Sequence, residues 1–376
     1  MIKFQQCIKC VMDTSDPLIF FDKGGICNHC INFEEKYAEI PKVKYTDSIE
    51  LRKVVSEIKL SSINKKYDCI LGLSGGVDSS FIATILKELN VKPLVVHFDN
   101  GWNSELAIKN IENIVNKLGF ELFTYVIDWD EFKDLQLSYF RASVLDIEVP
   151  TDHLIFGALY KTAKKFGIKN IISGYNLSSE GIMPESWLYM RKFDLANMRD
   201  IHKQFGSGRL TKLPTLGFWK KIYYNKIYKF KEFHLLQTFE YNKLDAKKQL
   251  IEKFDWKDYG GKHYESIFTR FYQGYILPVK FNIDKRKAHL SNLILSGQMN
   301  KEDALNELEM PTYDSQVQER DIDYVCKKWN ISRLEFDRII NLPIRRHQDF
   351  KEEIYLENRY NSFVSLIKKV IRSSKQ

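Results

Sequence analysis

Residues 67–80 read Tyr67-Asp68-Cys69-Ile70-Leu71-Gly72-Leu73-Ser74-Gly75-Gly76-Val77-Asp78-Ser79-Ser80. An apolar run stops abruptly in Ser-Gly-Gly, and Asp-Ser-Ser then opens a segment, Phe81 to Leu89, with the periodicity of a helix. A buried strand hands over to a phosphate-binding loop in this way. Gly75 and Gly76 admit positive φ and let backbone N–H groups approach an anion with no Cβ between them. Ser74, Ser79 and Ser80 add hydroxyl donors, and the following helix points its positive end at the same place. Asp78 would repel a bare phosphate, so it reads as a helix cap, a magnesium ligand, or both. No Walker A motif occurs, since no Gly-x-x-x-x-Gly-Lys-Ser/Thr is present.

Working outward, 376 residues allow two or three domains and a sizeable core. A hydrophobic share of 44% excludes a disordered chain. No apolar run approaches the ~20 residues that span a bilayer, and the first residues lack a signal-peptide core, so a cytoplasmic protein is expected. The net charge of +8 comes from 57 basic and 49 acidic residues, an excess that suits anionic ligands and decides nothing alone.

Four of the six cysteines, Cys7, Cys10, Cys27 and Cys30, form a doubled Cys-x-x-Cys within the first thirty residues. In a cytoplasmic chain this predicts a tetrahedral metal knuckle with zinc as the expected ion, structural because all four positions are thiolates. Iron–sulfur and redox readings stay open. His29 reads as a bystander.

From Ile31 to Lys66 the chain is polar, with an amphipathic stretch near Ile49 to Leu60. Strands follow at 67–73, Lys92–Asp99, Glu121–Ile127 and Asn170–Gly174, with helices at Glu105–Leu118 (stopped by Gly119) and around His153–Phe166, where Asp152 reads as a cap. This alternation predicts an α/β fold with a doubly wound parallel sheet, whose ligands sit at the carboxyl ends of the strands. Ser74–Ser80, Asp99-Asn100-Gly101 and Gly174-Tyr175-Asn176 then share one edge. Lys220 to Lys231 alternates bases with aromatics and reads as a half-buried helix or as a nucleic-acid face. Between Gly260 and Leu290, Lys280, Lys285 and Arg286 stand among aromatic and turn residues, as in a wall of an anion-binding cleft. The rest reads as helices, closing with Glu357 to Lys375.

The loop resembles the Ser-Gly-Gly-x-Asp-Ser-Ser signature of the PP-loop ATPases, the adenine nucleotide α-hydrolase superfamily, whose members split ATP into AMP and pyrophosphate. With the cysteine pair and the Gly260–His289 block, the chain resembles more narrowly the WbpG/PseA-like N-acetyl sugar amidotransferases of bacterial surface-polysaccharide biosynthesis. That resemblance implies an AMP-forming ligase. ATP adenylates an acetamido or carboxylate oxygen of a nucleotide-activated sugar, and ammonia then displaces AMP. It implies ATP, Mg2+ and Zn2+ as cofactors. Ser74, Gly75, Gly76, Val77, Asp78, Ser79, Ser80, Asp99, Gly174, Asn176 and Glu180 would hold the nucleotide, and Asp78 and Glu180 the magnesium. Asp78, Lys280, Lys285 and Arg286 would serve catalysis.

Ile2 stands where an amino-terminal-nucleophile glutaminase needs cysteine, so another protein is expected to supply ammonia, and the resemblance implies separate glutaminase and cyclase-like subunits for that role. Neither a membrane nor a nucleic acid is expected as a partner. The rival is a tRNA-modifying PP-loop enzyme of thiolating or lysidine-forming type. The expected organisation is a knuckle at 1–35, a helical connector at 36–66, an ATP-binding domain at 67–215, and at 216–376 a mainly helical region completing the site.

Overall fold

The first strand, β1 (Cys69–Gly72), has its Cys69, Ile70 and Leu71 side chains wholly buried, so it must lie inside a sheet covered on both faces. The structure, a computed structural model, describes residues 3–260 and 264–373, with side chains as far as 366. Ile2, Gly261, Lys262, His263 and the last three residues, which the sequence reading touched, lie outside the described residues.

In chain order the helices before β1 are α1 (Asn28–Tyr37) and α2 (Ile49–Ser61). Then come α3 (Val77–Glu88), β2 (Pro93–Asp99), α4 (Glu105–Leu118), β3 (Glu121–Val126), α5 (Trp129–Ala142), α6 (Val149–Lys165) and β4 (Asn170–Ile172). Next are α7 (Leu177–Glu180), α8 (Leu195–Phe205), α9 (Phe218–Ile222), β5 (Lys231–Phe233) and α10 (Lys243–Phe254). The remainder is α11 (Ile267–Phe271), α12 (Leu277–Phe281), α13 (Arg286–Leu295), α14 (Lys301–Glu309), α15 (Ser315–Trp329), α16 (Arg333–Ile340) and α17 (Ile354–Ser373).

The strands form one parallel sheet in the order β3-β2-β1-β4-β5, the doubly wound sheet expected. The chain leaves β1 toward β2 and β3, then returns to place β4 on the other side, so the direction of winding switches between β1 and β4. A crevice opens at the carboxyl ends of the strands at such a switch. Period-two alternation decides which side chain meets which layer. Cys69 and Leu71 face α2, α3, α4 and α10, whereas Ile70 faces α6.

The helix α4 shows how locally this is written. Ser104 caps it, its Oγ accepting from the Ala107 N–H at 3.2 Å. Ile111, Ile114, Val115 and Leu118 repeat at helical spacing and are buried. Gly119 ends it in the left-handed conformation at φ 66°. Truncating Ile114 to alanine would cost about 2–5 kcal/mol.

Three local expectations are corrected. Asp152 does not cap its helix, because α6 begins at Val149 with Glu148 before it. Asp78 does not cap α3, because Gly76 holds that position and Asp78 lies in the first turn. The 220–231 stretch is not one helix: α9 runs into a π-helical turn at Tyr223–Tyr228 and ends in β5. The sheet thus takes its last strand from beyond residue 215, and α10 packs on α3 with it. Within 36–66, Leu51, Val55 and Ile58 of α2 enter the same core.

Candidate active site

The loop after β1 delivers what its glycines suggest. Gly75 sits at φ +85°, and a Cβ there would meet the Ala107 carbonyl oxygen at 2.6 Å, so only glycine fits. The Trp256 indole donates to the Gly75 carbonyl at 2.9 Å and fixes the turn from outside. Gly76 caps α3, leaving the first N–H groups of that helix to face the crevice. The Ser74 Oγ accepts from the Gly76 N–H at 3.2 Å and lies 3.4 Å from the Ser79 hydroxyl.

Above the loop lies a cavity of about 490 Å³. Ser74, Gly76, Val77, Asp78 and Ser79 form its floor, Ser173, Gly174, Tyr175 and Glu180 one wall, and Lys243, Lys247, Asp258, Tyr259, Glu265 and His289 the rest. Tyr241 donates to Asp78 Oδ1 at 2.5 Å and Lys243 Nζ to Asp78 Oδ2 at 3.1 Å. Burial works against the Lys243 ammonium, but the Asp78 carboxylate, with Glu180 and Glu265 beyond, holds its pKa above the ordinary lysine value. Burial, reinforced by Asp78, pushes the Tyr241 phenol well up, so it stays a donor.

Lys243 is set in place by its neighbours. Asn242 caps α10, its Oδ1 accepting from the N–H of Leu244 and of Asp245. Gln298 accepts from the Lys243 N–H at 2.8 Å and donates to the Tyr241 carbonyl at 3.2 Å. Lys247, one turn on, pairs with Asp258. Among the described lining residues four carboxylates (Asp78, Glu180, Asp258, Glu265) face two ammonium groups. Carboxylate oxygens so grouped suit a divalent cation of the kind that accompanies a polyphosphate.

Glu180 reaches the wall because α7 is clamped from behind. Asn176 caps α7, its Oδ1 accepting from the Ser179 N–H at 2.9 Å. Asn292 of α13 accepts from the Ile182 N–H at 2.6 Å and donates to the Ser179 carbonyl at 3.3 Å. Asn176 therefore builds the loop and does not line the cavity. Asp99 also serves its own turn, accepting from the Gly101 N–H at 2.9 Å and from Asn103 at 3.3 Å, and stands outside the lining. Ser80 is fully buried beneath the loop.

The three distal cations are corrected. Lys280 Nζ donates to the carbonyls of Ile339, Ile340 and Leu342 at 3.0, 2.7 and 2.9 Å, neutralising the end of α16. Arg286 pairs with Asp284 at 2.8 Å and donates to carbonyls of Glu307, Leu308 and Met310 at the end of α14. Lys285 stands at the start of α13, and its charge acts on Glu148, whose carboxyl burial raises. None of the three lines the cavity. Lys243 and Lys247 do, and sequence reasoning passed over them. The available signal was Asn242 as a helix cap followed by lysines at i and i+4, which share a face.

The metal knuckle is assembled. The four Sγ atoms lie within 4.8 Å of one another and all four cysteines are fully buried. Cys7–Cys30, Cys10–Cys27 and Cys27–Cys30 are 3.7, 3.7 and 3.6 Å apart. A tetrahedron with Zn–S bonds of about 2.3 Å has edges of about 3.8 Å, so the donor set fits zinc. Backbone N–H groups of Lys9, Met12 and Cys27 point at the sulfurs at 3.3–3.4 Å, as thiolates require. His29 instead meets Asp16 at 2.6 Å. The knuckle docks on α13: Ser291 Oγ accepts from the Val11 N–H at 3.2 Å and Lys287 pairs with Asp13 at 2.6 Å.

No described helix is long and apolar enough to cross a membrane. Residues 265–364 match the family described as LPS biosynthesis protein WbpG-like, C-terminal domain. An uncharacterized protein of Methanocaldococcus jannaschii is 26% identical over 84% of this chain and 96% of its own. The tRNA-specific 2-thiouridylase MnmA of Clostridioides difficile is 29% identical over 30% of this chain and 35% of its own. Among solved structures, NMN synthetase from Francisella tularensis covers 81% of this chain and 99% of its own at 14% identity, with a TM-score of 0.34. That likeness is too loose to bear on the fold, which rests on the sheet order above.

Proposed function

We propose, for a chain whose residues 265–364 match the WbpG-like C-terminal domain family and whose strands form a doubly wound parallel sheet, an ATP-dependent amidotransferase of the AMP-forming ligase type. Its acceptor is an acetamido or carboxylate oxygen of a nucleotide-activated sugar destined for a bacterial surface polysaccharide. The observation that carries this reading is the convergence in one cavity of the glycine loop, Asp78 with Lys243, and Glu180.

In this reading the ATP phosphates lie against the loop N–H groups and the start of α3. Asp78 and Glu180 would hold a magnesium ion, which when bound offsets charge on the leaving pyrophosphate. Lys243 lies beside Asp78 to meet the same developing charge. The acceptor oxygen attacks the α-phosphorus, the α–β bridging bond breaks, and pyrophosphate carries away the electron pair. Ammonia then attacks the adenylated carbon and AMP departs, leaving an amidine or a carboxamide. Walls formed by Ser173 to Tyr175, by Lys243 and Lys247 and by Tyr259 limit water, which would otherwise compete with ammonia. A separate glutaminase with its cyclase-like companion would supply that ammonia.

The test offers purified protein magnesium-ATP, ammonium and a panel of UDP- and CMP-activated acetamido sugars and uronates, with unmodified tRNA as a separate arm. Sugar-dependent AMP release, with a nitrogen-gained product on fragmentation, is expected. AMP release with tRNA alone would overturn the reading in favour of the tRNA-modifying class, to which the partial similarity with MnmA belongs. Glutamine offered without ammonium should give no product; glutamate formed by this chain alone would remove the need for a glutaminase partner.

A further inference from the structure

We propose that the outer face of α6 and the 219–231 segment dock this protein peripherally on an anionic lipid bilayer. The first observation is where the charge sits. Residues 160–169 hold Lys161, Lys164, Lys165 and Lys169 with no acid, and residues 219–232 hold five lysines against Glu232 alone. These 24 residues carry nine positive charges and one negative, a net of +8, which equals the net charge of the chain (57 basic, 49 acidic). The other 352 residues therefore balance at 48 against 48. All nine lysines are exposed.

The two segments form one face. Tyr160 of α6 packs its ring 5.4 Å from Tyr224 and 5.0 Å from Phe230. Lys164 stands 4.7 Å over the Tyr223 ring and Lys169 5.9 Å over Tyr228. These contacts already engage the tyrosine rings, which leaves little platform for stacked nucleobases and argues against single-stranded RNA as the occupant.

Large apolar side chains stand among these lysines. Trp219 is 64% exposed beside Lys220 and Lys221, and Ile227 is 69% exposed beside Lys226. Phe218 packs on Tyr360 of α17, and one turn further along that helix Phe363 is 60% exposed. Tryptophan and isoleucine flanked in sequence by lysine suit the boundary between headgroups and acyl chains, where cations meet anionic headgroups and apolar tips leave water. A nucleic-acid duplex offers no apolar phase for Ile227. The orientation also fits: α6 covers one face of the sheet, while the nucleotide cavity lies with α3 and α10 on the other. A bilayer on α6 leaves that cavity open to soluble substrates. This proposal departs from the expectation of no membrane partner.

The experiment is co-sedimentation of the full chain with phosphatidylglycerol–phosphatidylcholine vesicles and with pure phosphatidylcholine vesicles at physiological salt. Binding to the anionic vesicles alone is expected. The double variant Lys164→Ala/Lys226→Ala should weaken it about thirtyfold, from roughly one headgroup attraction per lysine. Trp219→Ala, at an exposed position where folding is not at stake, should weaken it with the net charge unchanged. The proposal is overturned if anionic vesicles do not bind the protein, or if Trp219→Ala binds as tightly as wild type. It is also overturned if duplex RNA binds more tightly than vesicles and loses affinity in the lysine variant.

Discussion

Replacing Lys243 by methionine tests whether its ammonium, beside Asp78, is the one that meets charge on the leaving pyrophosphate. The side chain lies 3.1 Å from Asp78 Oδ2. Two unit charges at that distance attract by about 5 kcal/mol at an effective dielectric near 20. Desolvation of both ends cancels much of this, so the bond contributes about 1.5–3 kcal/mol to the folded state. The larger effect is expected in the reaction. A preorganised donor aimed at charge that develops only in the transition state is worth about 3–4 kcal/mol, a hundredfold to thousandfold in kcat. Methionine keeps the length and apolar stem of lysine and removes only the charge. The assay is steady-state AMP release against ATP at saturating acceptor, with thermal melting in parallel. kcat should fall by that factor while KM for ATP stays near the wild-type value. A kcat within about tenfold of wild type, roughly 1.4 kcal/mol, would refute the assignment of pyrophosphate neutralisation to Lys243.

Lys280→Met should show the converse: kcat nearly unchanged but stability lower by about 1.5–3 kcal/mol, because three carbonyls lose a charged donor; denaturant unfolding checks it. Stability should decline on mild acidification, because burial depresses His153 and His347 to about 4, against the ordinary 6.5. Both are held neutral in the fold, so their contribution is present above pH 6.5 and is lost as pH falls toward 4. At pH 5 each withdraws about 2 kcal/mol, and His153→Gln should flatten the fall in melting temperature between pH 7 and 5. Asn292→Ala frees the segment bearing Glu180, so the magnesium concentration for half-maximal activity should rise several-fold, about 1 kcal/mol per broken clamp bond. An unchanged magnesium titration would make that clamp merely structural. Cys10→Ser should lower the bound zinc, measured by elemental analysis, and the melting temperature together.

What could be read without coordinates is what short-range physics dictates. The Ser74–Ser80 turn needs glycine where φ is positive and the Ala107 backbone presses close, and that need is written in seven consecutive residues. The doubled Cys-x-x-Cys likewise states its own geometry. Strands β1, β2 and β4 announce themselves because burial on both faces demands apolar runs, and the exposed edge strand β3 does so through Leu122, Phe123, Tyr125 and Val126. β5 does not, because Lys231 and Glu232 are exposed on an edge strand and bear no such signature.

The cations of the site were the least legible part. Lys280, Lys285 and Arg286 share a dense basic stretch, yet two of them serve helix carbonyls, and Lys243, in an undistinguished helix, meets Asp78 from 165 residues away. A lysine carries no mark of whether its ammonium will meet a phosphate or a helix end, since both partners present the same negative oxygens. Local sequence therefore determined the loop, the knuckle and four of the five strands of the sheet. Only the packing of α10 on α3, and of α13 between knuckle and α7, decided which charges converge, because convergence is a property of distances between elements and not of any one of them.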